Sequence, residues 1–420
     1  MYRYFEAYEI QTTNLFFQAV GIDANKKNSI SCLSKATGIS IKELRYYNDN
    51  NIVPTGRDME AIVKHAKKSN YEIMIAMGIL DSSLIEAIRA NPDIITTLAN
   101  GIKSNTTTTP CELKLKTELG MLYKGDCLDL MRTMDSNSID VFFADPPFNL
   151  NKIYPSNIND NLKKDKYLKW CEEWIEEGIR ITKNGGSFFI WNLPKWNSEL
   201  ANYLNKRLNF KNWISVDIKY SLPIKGRLYP SNYSLLYYVK GEKPNTFNAD
   251  RLPMQTCPHC HKEVKDYGGY KRKMNPKGIN LSDVWLDIPP VRHTKYKRRN
   301  GANELSLKLL DRIIEMSSKK GDLVFDPFGG SGTTYMVAEL KKRKWLGVEI
   351  GETFDIEERF NRIDEDREIL NKYRDSINSL FPQQIHKKRT ERGLWTPESL
   401  RETEKPQLTL VLDGKPELIG

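Results

Sequence analysis

Two short apolar runs, residues 139–143 and 323–325, each lead into an aspartate that is followed by proline. Short runs without polar alternation are typical of strands that are buried on both faces of a sheet. Helical periodicity surrounds them, at residues 167–182, 305–317 and 333–342. Strands that alternate with helices predict a mostly parallel sheet covered on both faces, which is the α/β class.

Composition limits the classes of protein to which the chain can belong. Its 420 residues are enough for two or three domains, and 10% aromatic residues exclude a disordered chain. Lys and Arg exceed Asp and Glu by 64 to 54, and the resulting charge of +10 favours polyanionic partners. Six cysteines do not make a disulfide scaffold, and neither a signal segment nor an apolar run of membrane-spanning length is visible. We therefore expect a reduced, cytoplasmic protein with no membrane partner.

The apolar spacing within residues 29–69 predicts short helices around a tight turn at Gly38. Ser40 is placed to cap the second helix through its hydroxyl. The stretch resembles the phage-repressor type of helix-turn-helix, whose second helix enters a major groove. An ordinary helical hairpin is the alternative. On the DNA-binding interpretation, the candidate contacts on the second helix are Lys42, Arg45 and Tyr46.

The polar run at residues 103–110 has the composition of a linker, and the α/β alternation fails between residues 221 and 300. This irregular, basic insertion with interleaved aromatic residues suits nucleic-acid recognition, although most charge runs are solvated surface loops. Its candidate DNA contacts are Lys271, Arg272, Lys273, Lys295, Lys297, Arg298 and Arg299. The predicted divisions are a small all-α domain (1–105), a linker (106–119), a catalytic half (120–220), a target-recognition insertion (221–300), a cofactor-binding half (301–377) and a C-terminal tail (378–420).

Two loops stand at the carboxyl ends of predicted strands. One is Asp145-Pro146-Pro147-Phe148, and the other runs from Asp326 through a glycine-rich turn to Thr334. Open α/β sheets bind nucleotide-like ligands at such strand ends, and glycines allow the backbone to approach the ligand closely. The second loop lacks the Lys-Ser/Thr ending of a phosphate-binding loop, so ATP is not favoured. Glu349, at the end of the next strand, is placed to accept hydrogen bonds from ribose hydroxyls.

Together these motifs resemble those of the S-adenosylmethionine-dependent DNA amino-methyltransferases, over residues 120–350. The tetrad precedes the glycine loop, which is the permuted order of the β class. The resemblance implies a Rossmann-like methyltransferase fold, S-adenosylmethionine as cofactor and no metal requirement for catalysis. It implies that Asp326 shapes the glycine loop and that the tetrad Asp145, Pro146, Pro147 and Phe148 is catalytic. The cofactor-binding residues that it implies are Asp126, Cys127, Asp145, Phe328, Gly329, Gly330, Ser331, Gly332, Thr333 and Glu349.

The chemistry explains why a tetrad of this kind is needed. The lone pair of an exocyclic base amine is delocalised into the ring, so the amine is a poor nucleophile. By the resemblance, Asp145 and the carbonyl of Pro146 accept hydrogen bonds from the amine and hold its nitrogen in a more tetrahedral form. Two prolines stiffen the turn, and Phe148 offers a face on which a flipped base can stack.

An aspartate at position 145 favours N6 of adenine, while N4 of cytosine is the alternative target. Two departures from the family pattern bear on the site. Phe148 stands where most adenine methylases of this class have tyrosine, and residues 303–306 replace a Lys-Pro ahead of the helix before the glycine loop. The resemblance implies double-stranded DNA as partner, in a bacterial, phage or archaeal setting. A cognate restriction endonuclease and a second copy of the chain are further candidate partners.

Cys257 and Cys260 have the spacing of half a zinc site, and two free thiols are the alternative. Pro110-Cys111 matches the nucleophilic dipeptide of cytosine-C5 methylases, but it precedes the first predicted strand, so C5 chemistry is not expected. Two other functions stay open at this point. One is methyl transfer to RNA or protein, and the other is a non-catalytic DNA-binding regulator.

Overall fold

The computed structural model describes residues 15–24, 26, 28–49, 52–77, 90, 109–149, 162, 164–217, 225–226, 228, 230–262, 273–288 and 304–402. The chain divides into two compact units. The first unit comprises Met1–Asn248 and Asp283–Arg367, and the second comprises Ala249–Ser282 and Glu368–Gly420. Within the described ranges, no helix is long and apolar enough to cross a membrane.

A nine-stranded sheet forms the centre of the first unit. The five strands β2, β11, β10, β3 and β4 are parallel, whereas β1 and β6 run antiparallel to their neighbours. This mostly parallel sheet with its helices confirms the α/β class. In spatial order the strands are β1 (Glu112–Lys116), β2 (Gly120–Lys124), β11 (Lys344–Glu349), β10 (Leu323–Asp326), β3 (Ile139–Ala144), β4 (Thr182–Asn192), β6 (Asn232–Val239), β5 (Asn209–Asp217) and β9 (Val284–Trp285).

The helices of the described residues are numbered in chain order. They are α1 (Leu15–Ala19), α2 (Ser29–Thr37), α3 (Ile41–Asp49), α4 (Gly56–Ala66), α5 (Asn70–Ala76), α6 (Cys127–Thr133), α7 (Lys164–Ile181), α8 (Pro194–Leu204), α9 (Leu307–Ser317), α10 (Thr333–Leu340), α11 (Phe354–Asn361), α12 (Ile363–Arg374), α13 (Gln383–Glu391) and α14 (Pro397–Glu402). Helix α7 packs against α6 and α8, and α9 packs against α10.

The core fixes the strand that carries the first loop. Phe142 of β3 is fully buried, and its ring stacks on that of Phe188 with 4.3 Å between the ring centroids. Gly178 of α7 makes room for it, because a Cβ there would lie 2.7 Å from the Phe142 ring. Burial of one such aromatic side chain contributes about 1.5–3 kcal/mol. The end of β3, where Asp145 follows, is therefore held firmly.

The N-terminal helices include the predicted pair. Helix α2 is followed by Gly38 in the left-handed region (φ +74°), and α3 begins three residues later. The Ser40 hydroxyl accepts a hydrogen bond from the Glu43 backbone N–H (3.2 Å), and the Glu43 carboxylate accepts one from the Ser40 N–H (3.2 Å). This reciprocal capping box explains why α3 starts where it does. The helix pair and its cap are as predicted.

The second unit joins two distant parts of the sequence. Its strands β7 (Arg251–Leu252) and β8 (Ile279–Asn280) pair with each other, and Met254 packs with Leu380 and Phe381. This division differs from the predicted boundaries, which made residues 221–300 one insertion and residues 378–420 a tail. The physical reason is that apolar side chains in the polar C-terminal stretch bury themselves against Met254.

A second difference concerns Gly185 and Gly186. The sequence predicts that this pair ends a helix before a strand at residue 187, yet β4 begins at Thr182 and runs through both glycines. Gly185 has a φ of +78°, and a Cβ there would lie 2.2 Å from the Asn245 side chain. The glycines therefore serve the close approach of a neighbouring segment rather than a helix end.

Candidate active site

Asp145 and Asp326 leave the sheet side by side. Asp145 follows β3, and Asp326 is the last residue of the neighbouring parallel strand β10; Val141 of β3 pairs with Val324 of β10. From this point the order of strands continues through β11 on one side and β4 on the other, which makes it the switch point of the sheet. Burial of the carboxyl group and the nearby Asp326 raise the pKa of Asp145 well above its ordinary value. The two predicted loops therefore meet, as expected from their strands.

The backbone of the Asp145 turn is held by side chains of two helices. The Tyr167 hydroxyl donates to the Pro147 carbonyl (2.7 Å), and the Trp196 indole N–H donates to the Phe148 carbonyl (2.7 Å). Both side chains are buried. The hydrogen bonds recorded among the described residues include none to the Pro146 carbonyl. Among the described residues, that carbonyl therefore keeps its acceptor capacity, one residue along the chain from Asp145.

An aromatic group lies beside this turn. The Phe148 side chain is 5% exposed, and its ring centroid lies 5.7 Å from that of Tyr233. Tyr233 is half-buried and stacks on Trp191 at a centroid distance of 5.0 Å. Little of the Phe148 ring is therefore open for a base to stack on in this structure, and the Tyr233 ring lies beside it, tilted by 43°. Of the two residues, Tyr233 is the one that is partly exposed to solvent.

Asp326 organises the glycine loop. Its carboxylate accepts hydrogen bonds from the Phe328 N–H (2.9 Å) and the Thr334 hydroxyl (2.5 Å), and its carbonyl accepts one from the Tyr335 hydroxyl (3.0 Å). Burial raises the pKa of Asp326 to about 7, with a smaller contribution in the same direction from Glu349. These contacts support the prediction that Asp326 shapes the loop.

The glycines of the loop are needed where the chain bends or packs closely. Gly330 (φ +53°) and Gly332 (φ +73°) are both in the left-handed region, on either side of Ser331. A Cβ on Gly329 would lie 3.0 Å from the Glu349 side chain. The Gly332 N–H donates to the Gly329 carbonyl (2.7 Å), which closes a tight turn before α10.

The ends of β11 and β2 complete this edge. The Glu349 carboxylate accepts hydrogen bonds from the N–H groups of Gly330 (2.8 Å) and Gly351 (2.9 Å). The Gly125 N–H donates to the Glu349 carbonyl (3.0 Å). The Asp126 carboxylate caps α6 by accepting from the Leu128 N–H (2.8 Å), and the neighbouring Cys127 is buried, which raises its pKa. The predicted cofactor residues are therefore brought together on adjacent strand ends.

The predicted DNA contacts on α3 are directed at the protein itself. Lys42 forms an ion pair with Glu242 (2.9 Å), and the Tyr46 hydroxyl donates to the Gly241 carbonyl (3.2 Å). Gly241 and Glu242 follow β6, beside the beginning of β4 and thus at the opposite edge of the sheet from Asp145. Direct DNA contacts by Lys42, Arg45 and Tyr46 stay predictions, since the Lys42 side chain is 75% exposed beside Glu242. Arg45 is exposed.

The remaining basic candidates and the cysteine pair are only partly described. Lys273 is exposed, whereas Lys271, Arg272, Lys295, Lys297, Arg298 and Arg299 lie outside the described residues. In the second unit the Lys262 N–H donates to the Cys260 sulfur (3.5 Å). The part of the chain that the structure describes has no group of three or more His, Cys, Asp or Glu side chains that could hold a metal ion.

Sequence reasoning missed the residues that support the loops from a distance. Tyr167 and Trp196 hold the tetrad backbone, and Tyr233 packs on Phe148. Arg359 donates to the Ser331 carbonyl (2.9 Å) from α11. The sequence pattern of aromatic residues on amphipathic helices predicts only that they are buried in the core, so it does not indicate that they support a functional loop.

Comparison with known proteins was made for the sequence and for the fold. The family described as DNA methylase, which comprises N6 and N4 methyltransferases, matches residues 139–355. The Type II methyltransferase M.BamHI of Bacillus amyloliquefaciens is 46% identical over 399 residues, covering 92% of this chain and 94% of that protein. The DNA adenine methyltransferase YhdJ of Escherichia coli (strain K12) is 32% identical over 252 residues, covering 59% and 84%. The solved PvuII DNA methyltransferase (cytosine-N4-specific) is 20% identical, with a TM-score of 0.45 over 61% of this chain and 94% of that one.

Proposed function

Since the chain belongs to the N6/N4 DNA methylase family, we propose that its DNA methyltransferase activity acts on the exocyclic amine of a base flipped from duplex DNA. The methyl donor is S-adenosylmethionine. The single observation that supports the proposal most is the Asp145 turn at the switch point, where a carboxyl group is followed by a carbonyl that has no recorded hydrogen bond among the described residues. An NH₂ group has two protons to donate, and the turn offers two acceptors.

The donors within the chain explain how the turn keeps this arrangement. Because Tyr167 and Trp196 occupy the carbonyls of Pro147 and Phe148, the backbone cannot rotate to hide the Pro146 carbonyl without losing both bonds. Pro146 and Pro147 have no N–H that could compete for the Asp145 carboxylate. The ionised Asp145 carboxylate is a stronger hydrogen-bond acceptor for the amine than the protonated group, which keeps fewer acceptor sites. Positioning and charge are thus the contributions of the protein.

The residues of the other loop fit the cofactor. The tight turn contains three glycines, and a side chain added at Gly330 would meet only the Phe328 carbonyl oxygen, at 3.9 Å. Glu349 holds the loop through the Gly330 N–H. Asp145 and Asp326 supply buried carboxyl groups next to it, which suit a cationic ligand. When bound, S-adenosylmethionine supplies a sulfonium whose methyl group is already activated for transfer. We propose that Phe328 to Thr333, Asp126, Cys127 and Glu349 form its binding site.

Adenine N6 is the first candidate target, because Asp145 stands in the tetrad and YhdJ, named a DNA adenine methyltransferase, is 32% identical. Cytosine N4 is the second, because Phe148 lacks the hydroxyl that adenine methylases of this class usually carry. M.BamHI, whose similarity covers 92% of this chain, is the better guide to the recognition sequence. We propose that the protein described here modifies the same DNA sequence as M.BamHI. We also propose that a cognate restriction endonuclease accompanies it. A homodimer and a nucleoid location stay predictions.

Radioactive methyl transfer to duplex DNA, RNA and protein tests the activity, with Asp145→Ala as the key variant and Asp135→Ala as an exposed control. We expect transfer to duplex DNA alone, lost in Asp145→Ala while DNA binding is retained. Transfer that survives in Asp145→Ala would exclude the proposed mechanism, and DNA binding without transfer by the wild type would favour the non-catalytic regulator. Single-molecule sequencing then identifies the base. Prior methylation by M.BamHI should block further transfer if the site is shared.

A further inference from the structure

Arg359 lies buried beneath the glycine loop. It belongs to α11 and is only 2% exposed. One terminal nitrogen donates to the Ser331 carbonyl (2.9 Å) and to the Thr333 hydroxyl oxygen (2.8 Å), while Nε donates to Asp366 (2.6 Å). Two of its partners are thus members of the loop. The guanidinium is a rigid fork of donors, so these bonds define a position rather than only a charge.

The same guanidinium connects the loop to a third segment. Glu304, whose side chain is 4% exposed, lies 3.6 Å from Arg359. It precedes α9, in the stretch that replaces the Lys-Pro of the family pattern. The Thr333 hydroxyl donates to the Leu305 carbonyl (3.3 Å) in that stretch. Arg359 therefore ties the loop both to the residues before α9 and to α12.

The loop needs such an anchor on physical grounds. Gly330 and Gly332 flank Ser331, and glycines have more backbone states to lose than other residues. A loop that is ordered before its ligand arrives binds more tightly, because the ordering is already complete. Buried ion networks add little net stability, but they fix geometry. The contact at the Ser331 carbonyl lies between the two glycines, where it restricts the loop most.

We propose that Arg359 is a positioning residue that holds residues 329–333 ready for S-adenosylmethionine. The inference rests on the proposed assignment of that loop to the cofactor. Because the contact acts on the loop and not on the methyl group, it supports binding of S-adenosylmethionine and of the product S-adenosylhomocysteine alike. It leaves the transfer step nearly unchanged once the enzyme is saturated.

Arg343 provides a matched control. It is 4% exposed, lies in the same unit, and donates to the carbonyls of Ser318 (2.7 Å) and Lys341 (2.8 Å). None of its recorded bonds reaches the glycine loop. Substitution to methionine or lysine at 343 therefore gives the cost of losing a buried arginine without the loop contact.

The test compares Arg359→Met and Arg359→Lys with Arg343→Met and Arg343→Lys. Calorimetric titration gives the Kd of both ligands, and amide hydrogen exchange reports order in residues 329–333 without ligand. Loss of one or two charge-assisted bonds should weaken both ligands by about ten- to hundredfold in Arg359→Met. We expect a smaller effect in Arg359→Lys, faster exchange in the loop, kcat close to wild type, and Kd values near wild type in the Arg343 variants.

Three outcomes would overturn the inference. If Arg359→Met and Arg343→Met weaken binding equally, the arginine is only structural. Arg359→Lys is the milder variant and serves if Arg359→Met does not fold. If Arg359→Lys keeps both the affinity and the slow exchange of the wild type, the loop does not depend on the guanidinium. A wild-type protein that binds neither ligand would refute the proposed function, and this inference with it, so the two failures are distinguishable.

Discussion

The two carboxyl groups of the site predict that the enzyme distinguishes S-adenosylmethionine from its product S-adenosylhomocysteine by the charge on sulfur. The ratio of the two affinities should therefore depend on pH. Asp145 and Asp326 both have raised pKa values, and that of Asp326 is about 7. Near neutral pH and below, part of this pair is protonated in the free protein. A bound sulfonium favours the ionised carboxyl groups and lowers their pKa, so binding must release protons. S-adenosylhomocysteine has the same groups except for the sulfonium, and it should release fewer.

The size of the effect follows from proton linkage. Each proton released on binding makes Kd fall tenfold for each unit by which pH rises, as long as pH lies below the pKa of the free protein. One carboxyl group therefore gives a slope of about one decade per pH unit, and two give up to about two. For Asp326 the dependence levels off above about pH 7. Glu349 also faces Asp326 and acts in the same direction on its pKa.

Calorimetric titration of both ligands between pH 5.5 and 8.5, in buffers that differ in ionisation enthalpy, measures Kd and the proton count. We expect the preference for S-adenosylmethionine over S-adenosylhomocysteine to decline on acidification below about pH 7, by about tenfold per pH unit for each proton by which the two ligands differ in release. Asp145→Asn, which keeps the shape of the side chain, should remove part of this slope. Equal slopes for the two ligands in the wild type would refute the reasoning, because they would show that the carboxyl pair does not sense the sulfonium.

Three further predictions concern the surroundings of the site. Lys42→Ala should leave the dependence of DNA affinity on salt concentration unchanged, because Lys42 pairs with Glu242, whereas loss of a phosphate contact would lower that slope by about one. Tyr233→Ala should weaken productive DNA binding by about 1–3 kcal/mol in steady-state kinetics while the Kd of the cofactor stays unchanged, and Tyr233→Phe should resemble the wild type. Gly347→Ala should lower the free energy of unfolding by about 1–3 kcal/mol in denaturant titrations and weaken cofactor binding, because the new Cβ would lie 2.2 Å from the Tyr335 ring. A Gly347→Ala protein of unchanged stability would contradict the packing described around Tyr335.

The sequence was sufficient to predict the strands that carry the two loops. β3 and β10 lie within a residue of the predicted runs, because a short apolar stretch that leads into Asp-Pro is a local signal. A mostly parallel sheet also implies that Asp145 and Asp326 lie at the same edge, but the pairing of β3 with β10 is known only from the fold. Tyr167 and Trp196 were out of reach, because they hold the turn from 20 and 48 residues away in the chain. Contacts of that length leave no periodicity in the sequence.

The second helix of the N-terminal pair shows where such reasoning leaves alternatives open. A basic residue on an exposed helix face predicts a DNA contact and an internal ion pair equally well, and only the fold reveals that Glu242 is the partner of Lys42. The position of this contact has a further consequence. Asn184, which donates to Glu43 of α3 (3.1 Å), and Asn192 lie near opposite ends of β4, and the regularly paired part from Ser187 to Asn192 alone spans about 17 Å at the usual rise of a strand. A duplex whose flipped base enters at Asp145 approaches the carboxyl edge of the sheet, while α3 docks at the other edge. A DNA contact by the exposed Arg45 would therefore lie toward the edge of the sheet opposite the flipped base.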